Sequence, residues 1–447
     1  MNYKLVDIDG CDWLGEVPKE WRVEKFKHLF TVSTEKNGRS TIGVMLSVSG
    51  YRGIEKKEYE YEEQKRTAAE LVDYRVVRPG QLVVNTMWLN YAGLGVSDLT
   101  GYVSPAYRSY YINTKMFPRY VHHLMRSDIY VRGYCKYMQG IRPNSLQIKT
   151  DDFNAFPVLI PSYTEQQQIA NFLDRETAKI DTLIEKQQNL IALLKEKRQA
   201  VIGHAVTKGL NPNVPMKDSG VEWLGEVPEH WEVCRVKQLS IFITSGPRGW
   251  AEYLTDFGEE IFLQSGDLND RLGLELETAK RVAPPKNAEG IRTKLNEGDV
   301  VVCITGANTG RVAISGPQTS TVYINQHLSL IRPNKKNILP DYLGTFLSSS
   351  VSKSYFDVTQ YGLKEGLSLT NVAEAPLCCP PIDEQLDIIS HVDTVSSQMG
   401  ILEDKAIGLV QLLQERRTAL ISAAVTGKID VRHWQPPTAL ATSEATS

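Results

Sequence analysis

Long apolar runs are missing from this chain of 447 residues. No stretch approaches the roughly 18 residues of a spanning helix, and the start, MNYKLVDIDG, lacks the apolar stretch of a signal peptide, so a cytoplasmic protein is expected. Cysteines are few and scattered. Cys11, Cys135, Cys234, Cys303, Cys378 and Cys379 show neither CxxC nor Cys/His ligand spacing, which points to reduced thiols rather than a disulfide frame or a zinc site. A P-loop is excluded, because the only Gly-Lys pair, Gly427-Lys428, is followed by Ile429. The adenine methyltransferase signature NPP[FY] is absent, with Asn211 to Pro215 reading as a linker, and neither GxSxG nor HExxH occurs. Positive charge is not in excess: the net charge is −3. Basic and acidic side chains number 22 and 18 in residues 1–160, 8 and 8 in 161–222, 15 and 18 in 223–380, and 5 and 9 in 381–447. Phosphate neutralisation supplies most non-specific affinity for DNA. The chain alone is therefore expected to bind DNA weakly, and its charge balance would equally fit a protein that never meets DNA.

What the sequence does contain is a duplication. WLGEVPKEW, Trp13 to Trp21, returns as WLGEVPEHW, Trp223 to Trp231, 210 residues later. TEQQQIANFLD (Thr164 to Asp174) returns as DEQLDIISHVD (Asp383 to Asp393), and RQAVIGHAVTKG (Arg198 to Gly209) as RTALISAAVTGK (Arg417 to Lys428), both after 219 residues. Repeats this long mean duplicated domains rather than a solenoid, as expected for a chain too long for one core. The order is globular segment, helical segment, globular segment, helical segment. Each tryptophan pair is expected to pack as an apolar clasp around a Gly/Pro turn, with Pro18 and Pro228 favouring extended chain before them.

The helical segments carry a heptad pattern. Ile388, Val392, Val395, Met399, Leu402, Ala406, Leu409, Leu413, Arg416 and Leu420 step by four and three in turn. The equivalent positions are Ile169, Leu173, Glu176, Ile180, Leu183, Gln187, Leu190, Leu194, Lys197 and Val201. Two helices of roughly 40 residues, about 60 Å each, are predicted, with Pro161 and Pro381 before them and Gly209 and Gly427 after them. The apolar seams are expected to pair antiparallel with each other; packing of each helix on its own domain is the alternative. Glu176, Gln187 and Lys197 either fix the register of pairing or lie where the helices splay or meet a partner, and the second reading suits Lys197 and Arg416.

The globular segments read as mixed α/β. Gly80 to Met87 and Gly298 to Gly306 are strand-like, and Pro118 to Asp128 and Pro340 to Ser350 are helical. Outside these the copies scarcely resemble each other. Similar scaffolds with different faces suggest two different ligands.

WLGEVPxxW opening each half, P(S/P)xxEQxxI leading into a long helix and AVTxG closing it make the chain similar to the specificity subunit of type I restriction-modification enzymes. The resemblance spans nearly the whole chain. It implies two mixed α/β target recognition domains, residues 1–160 and 223–380, and two repeated helical regions, 161–222 and 381–433, forming an antiparallel coiled coil with pseudo-two-fold symmetry. Residues 434–447 are expected to be a disordered tail. It further implies a non-catalytic subunit that reads a bipartite asymmetric sequence in double-stranded DNA, two methyltransferase subunits docked on it, restriction-translocase subunits in the complex, and no membrane. No cofactor is expected in this chain; S-adenosylmethionine, ATP and magnesium belong to the partners.

Base reading needs Arg or Lys for guanine and Asn or Gln for adenine, presented from loops. Candidates in the first domain are Lys65, Arg66, Asn85, Trp88, Asn90, Tyr107, Arg108, Gln139, Arg142 and Asn144. In the second they are Ser245, Arg248, Gln264, Ser265, Asn269, Arg271, Asn308, Thr309, Arg311, Asn325, Gln326, His327, Tyr361 and Lys364. The loops around Arg142 and Lys364 occupy similar places ahead of the helices and resemble the family's DNA-facing loop. Each of these side chains is equally readable as an ordinary solvated loop residue, and His327 as an internal histidine. A pure scaffold and an enzyme with an unfamiliar site also remain open readings.

Overall fold

The computed structural model describes residues 3–38, 40–59, 66–140, 146–284, 288–360 and 366–435. The chain forms two compact units, Met1–Gln188 with Gly408–Ser447, and Asn189–Ile407. The boundary cuts both long helices, Tyr163–Lys208 and Ile382–Val425, so each unit owns the first part of one and the last part of the other. None of the described helices is long and apolar enough to cross a membrane.

Among the described residues each unit holds two four-stranded sheets. In the first unit the strands Phe30–Val32, Arg108–Ile112, Leu82–Val84 and Leu94–Val96 lie side by side, all antiparallel. The second unit repeats this with Ser240–Ser245, Leu328–Pro333, Val300–Cys303 and Val312–Ile314. Leu82–Val84 and Val300–Cys303 read as unbroken apolar runs because both faces are covered, as alternation of side chains dictates. Leu82 and Val84 join a core with the helices, whereas Val83 meets Leu46, Val77 and Val103 of the other sheet. Val300 and Val302, against Val301 and Cys303, divide in the same way. In each unit that other sheet contains one parallel pair, Val44–Ser49 with Gly101–Val103 and Glu260–Leu263 with Val322–Ile324.

The duplicated phrases meet at one joint per unit. In the first, Glu165 caps its helix with Ser162 and accepts from Tyr3 Oη at 2.8 Å and Trp21 Nε1 at 3.4 Å. In the second, Glu384 accepts from Trp231 Nε1 at 2.9 Å and contacts His230 Nε2 at 2.6 Å. The neighbouring glutamines, Gln166 and Gln385, are fully buried. Each amide fastens the turn ahead of a short helix, Phe117 N to Gln166 Oε1 at 2.7 Å and Leu339 N to Gln385 Oε1 at 2.9 Å. The end of the opposite long helix completes the joint. Gly427 and Gly209, both at φ 73°, bring backbone against Trp21 and Trp231, and a Cβ on Gly427 would stand 2.3 Å from Pro18 Cγ. The joint is thus not a tryptophan-on-tryptophan clasp. Trp13 packs on Tyr130 and Phe156, and Trp223 on Tyr355, away from the carboxylates.

Within each unit the two helix segments run antiparallel. Gln168 reaches Arg432 O while Asp181 reaches Arg417 in the first unit. In the second, Arg198 reaches Glu403, while Ile202 shares a core with Ile388 and Val392. The buried stripe follows the expected seam at Ile169, Leu173, Ile180, Leu194, Ile388, Val392, Met399, Ala406 and Leu413, with Val201, Val395 and Leu420 half-buried. At alternate positions it steps one residue later. Leu183, Leu190, Leu402 and Leu409 are exposed, and Ile184, Arg198 and Glu403 are buried instead, while Lys197 and Arg416 face solvent. At Arg198 and Glu403 the stripe admits charged residues as an ion pair, which a pattern built on apolarity alone passes over.

Candidate nucleic-acid interface

In the second unit four loops meet at one end of the sheets. The loop after Glu260–Leu263 receives Asn325 N at Leu263 O (3.0 Å), and Asn308 Nδ2 donates to Ser265 O (3.1 Å). Ile304 N donates to His327 O (2.8 Å), and His327 Nδ1 bonds Thr305 Oγ1. The turn after Ser245 closes on the same place, with Gly246 packed against the backbone of Ile324 and Asn325. Ser245, Gln264, Ser265, Asn308, Thr309, Asn325, Gln326 and His327 therefore share one corner. Gln326 and His327 are exposed there, and Arg248 is exposed on the loop from Ser245. A surface of amides, hydroxyls and an imidazole can make directional hydrogen bonds to base edges.

Several expected readers are committed elsewhere. Asn325 is buried and holds His327 N through its own Oδ1 at 3.0 Å. Arg311 turns inward, donating to Leu268 O at 3.0 Å and pairing with Asp270 at 3.3 Å. Asn269 closes its own turn through Arg271 N and Gly273 N. Arg271 pairs with Asp404 of the second long helix at 2.5 Å. Each of these contacts joins a loop to its own framework, a demand invisible from residue type.

The first unit presents the equivalent loop between Leu82–Val84 and Leu94–Val96. Its backbone closure, Asn85 N to Gly93 O at 2.8 Å, repeats Cys303 N to Arg311 O at 2.8 Å. Trp88 is 56% exposed at its crest beside Tyr91. Asn85 is buried and caps the turn, and Asn90 Oδ1 is buried without a partner. Arg66 pairs with Glu70, Arg108 donates to Thr150, Tyr107 is half-buried, and Gln139 is exposed on a two-residue strand paired antiparallel with Gln147. Lys65, Arg142, Asn144, Tyr361 and Lys364 lie outside the described residues, as does most of the expected tail.

The helix-to-domain contacts differ in charge between units. Asp174 accepts from Arg119 Nη2 at 2.5 Å and from His123 Nε2 at 2.7 Å. Burial alone would raise its pKa; the two donors outweigh it and hold the carboxyl well below the usual range. In the second unit burial, then the charge of Asp341, push the equivalent Asp393 carboxyl up. The signs are opposite. A depressed acid stabilises the fold above its unfolded pKa, about 3.9, and loses that contribution as pH falls towards its folded value; a raised acid costs stability once both states ionise, and protonation relieves it. Segment-resolved hydrogen exchange at pH 6 and pH 3 is expected to show faster opening around Asp174 and relative protection around Asp393. The reverse order would refute the assignment.

Residues 228–409 match the family model described as the type I restriction modification DNA specificity domain. The chain is 22% identical over 337 residues to the type I restriction enzyme EcoKI specificity subunit of Escherichia coli (strain K12), covering 72% of this chain and 67% of that protein. With the EcoBI specificity subunit of Escherichia coli the identity is 24%, over 62% of this chain and 59% of the relative, so the match spans under two thirds of that protein. A putative MjaX specificity subunit of Methanocaldococcus jannaschii is 22% identical over 96% of this chain and 97% of its own length. A chain solved in work on complex assembly and conformational transition of the type I R-M system shares the fold at TM-score 0.68 and 14% identity, over 92% of this chain and 99% of that one. With the repeated motifs and the doubled α/β-plus-helix fold, the chain thus carries a type I specificity domain at residues 228–409 and is similar over most of its length to the specificity subunits of type I restriction-modification enzymes.

Proposed function

We propose that this chain is the DNA-reading subunit of a type I restriction-modification complex, in which each α/β domain reads one half of a bipartite asymmetric target. The helices set the unread gap and dock two methyltransferase subunits, so that the complex directs adenine methylation or restriction; restriction-translocase subunits join through it. S-adenosylmethionine, ATP and magnesium are held by those partners, and this subunit contributes recognition without catalysis. One observation carries the reading: a common sheet framework, closed at the same loop by the same backbone bond, carries unrelated side chains on that loop in the two units, Trp88 and Tyr91 in one and Asn308 with Thr309 in the other. A repeated scaffold with divergent loops is what two different half-sequences require. With a net charge of −3, this reading leaves most phosphate neutralisation to the partners.

Exchange of residues 25–155 for the corresponding segment of another specificity subunit tests it. Methylation mapped across a host genome is expected to show one half-site changed and the other kept. Change in both halves would end the modular reading, and a chain that binds no DNA with its methyltransferase partners would favour a scaffold.

A further inference from the structure

The loop that carries Trp88 is not held by its own hairpin alone. Arg126, the last residue of the helix Pro118–Arg126, sends its guanidinium between two loops. Nη1 donates to the carbonyls of Ser49 (3.2 Å), Ala92 (3.1 Å) and Leu94, and Nη2 to Gly50 (2.8 Å). Ser49 and Gly50 belong to the turn between strands Val44–Ser49 and Gly53–Lys56; Ala92 closes the Trp88 loop. The two loops touch through backbone, since a Cβ on Gly50 would stand 2.6 Å from Tyr91 O. Ala92 sits at φ 53°, a left-handed conformation that a non-glycine residue keeps only where its surroundings impose it. Four carbonyl dipoles, from two segments, converge on one planar fork, a geometry that a lysine ammonium cannot reproduce.

The same turn is tied to the long helices. Tyr51 Oη donates to Asp181 at 2.6 Å, and Arg417 both pairs with Asp181 at 2.8 Å and lies 4.7 Å over the Tyr51 ring. A cavity of about 670 Å³ lies beneath these groups, lined also by His122, Arg119 and Asp174. The contacts run without a break from the Trp88 loop through Arg126 and the 49–53 turn to the helix pair.

We propose that Arg126 is a positioning residue for recognition of the first half-site, fixing the Trp88–Ala92 loop in one conformation and, through Tyr51, fixing that loop relative to the helices. The inference rests on the function proposed above. The test uses the full chain assembled with its methyltransferase subunits, on duplexes carrying the target, single changes in either half, or a gap altered by one base pair. R126Q is expected to raise KM for the target at least tenfold with kcat within about twofold. Discrimination against changes in the first half should fall at least tenfold, and that against the second half should stay. R126K, which keeps the charge without the fork, should remain impaired. Full recovery in R126K, or losses spread equally over both halves, overturns the proposal. Y51F, which leaves Arg126 in place, is expected to accept duplexes with the altered gap while reading both halves as before; an unchanged gap profile overturns the link to the helices, and where R126Q does not assemble R126K carries the half-site test. A wild-type complex without sequence preference would sink the underlying reading, whereas a preference untouched by R126Q sinks this inference alone.

Discussion

Seven-residue insertions after Gln188 and after Ile407 together are expected to lengthen the unread gap of the proposed bipartite target by about three base pairs, with both half-sequences kept as they were. The two sites are where the chain passes between its units, so pairing inside each unit, Asp181 with Arg417 and Arg198 with Glu403, is preserved. Seven residues keep the buried stripe in phase, because its period is close to 3.5. They add about 10 Å at 1.5 Å per residue, against about 3.4 Å per base pair. An insertion in one helix only leaves seven residues without an opposite strand of helix and is expected to abolish assembly. Single-molecule mapping of modified adenines reads the result directly. A gap of unchanged length in the doubly extended chain would show that the helices do not measure the target.

Glu403→Ala is the most damaging single truncation expected in the helices. Arg198 and Glu403 are bonded at 2.9 and 3.2 Å, with side chains only 10% and 5% exposed. Removal of the carboxylate strands a guanidinium in an apolar stripe, at a cost of about 3–5 kcal/mol. Replacement of both by leucine restores most of the loss, since neither buried charge is then left alone. The corresponding pair of the first unit, Arg417 with Asp181, is wetter, at 20% and 37% exposed. Asp181→Ala is therefore expected to cost about 1 kcal/mol or less. Urea unfolding followed by Trp231 fluorescence, and separately by a probe near Trp21, distinguishes the two. Equal costs at both pairs, or a double leucine variant no better than Glu403→Ala, would contradict this account.

These two pairs also mark how far the sequence could be read. The duplication, the long helices and the strands around Val83 and Val301 were legible, because repeated spelling and unbroken apolar runs report directly on burial. The seam was legible only in every second position. Arg198, Glu403 and Arg417 turn inward because each finds a partner more than 200 residues away, and no local pattern announces such a partner. The EQ pair shows the same limit. Its recurrence was plain, but that Glu165 would hold Trp21 and Gln166 the turn before Phe117 depended on the tertiary joint. In the loops, residue type alone could not separate Gln326, which is exposed, from Asn325, which is buried one position earlier. Arg126 gave no signal at all, standing at the end of an ordinary helical stretch, HHLMRSD.

The joint at Trp21 also bears on the order in which the molecule can be made. Asn189–Ile407 is one continuous stretch, so that unit has all its parts as soon as residue 407 leaves the ribosome. The other unit emerges first yet lacks the segment that bears Gly427, against which Trp21 and Pro18 pack, and Trp434, which meets Phe172. Its closure waits until residue 434 has been made, across contacts separated by as many as 429 residues, as between Tyr3 and Arg432. Loops that long close slowly, and exposed apolar surface in the interval invites misassembly. The half synthesised first is thus the half completed last.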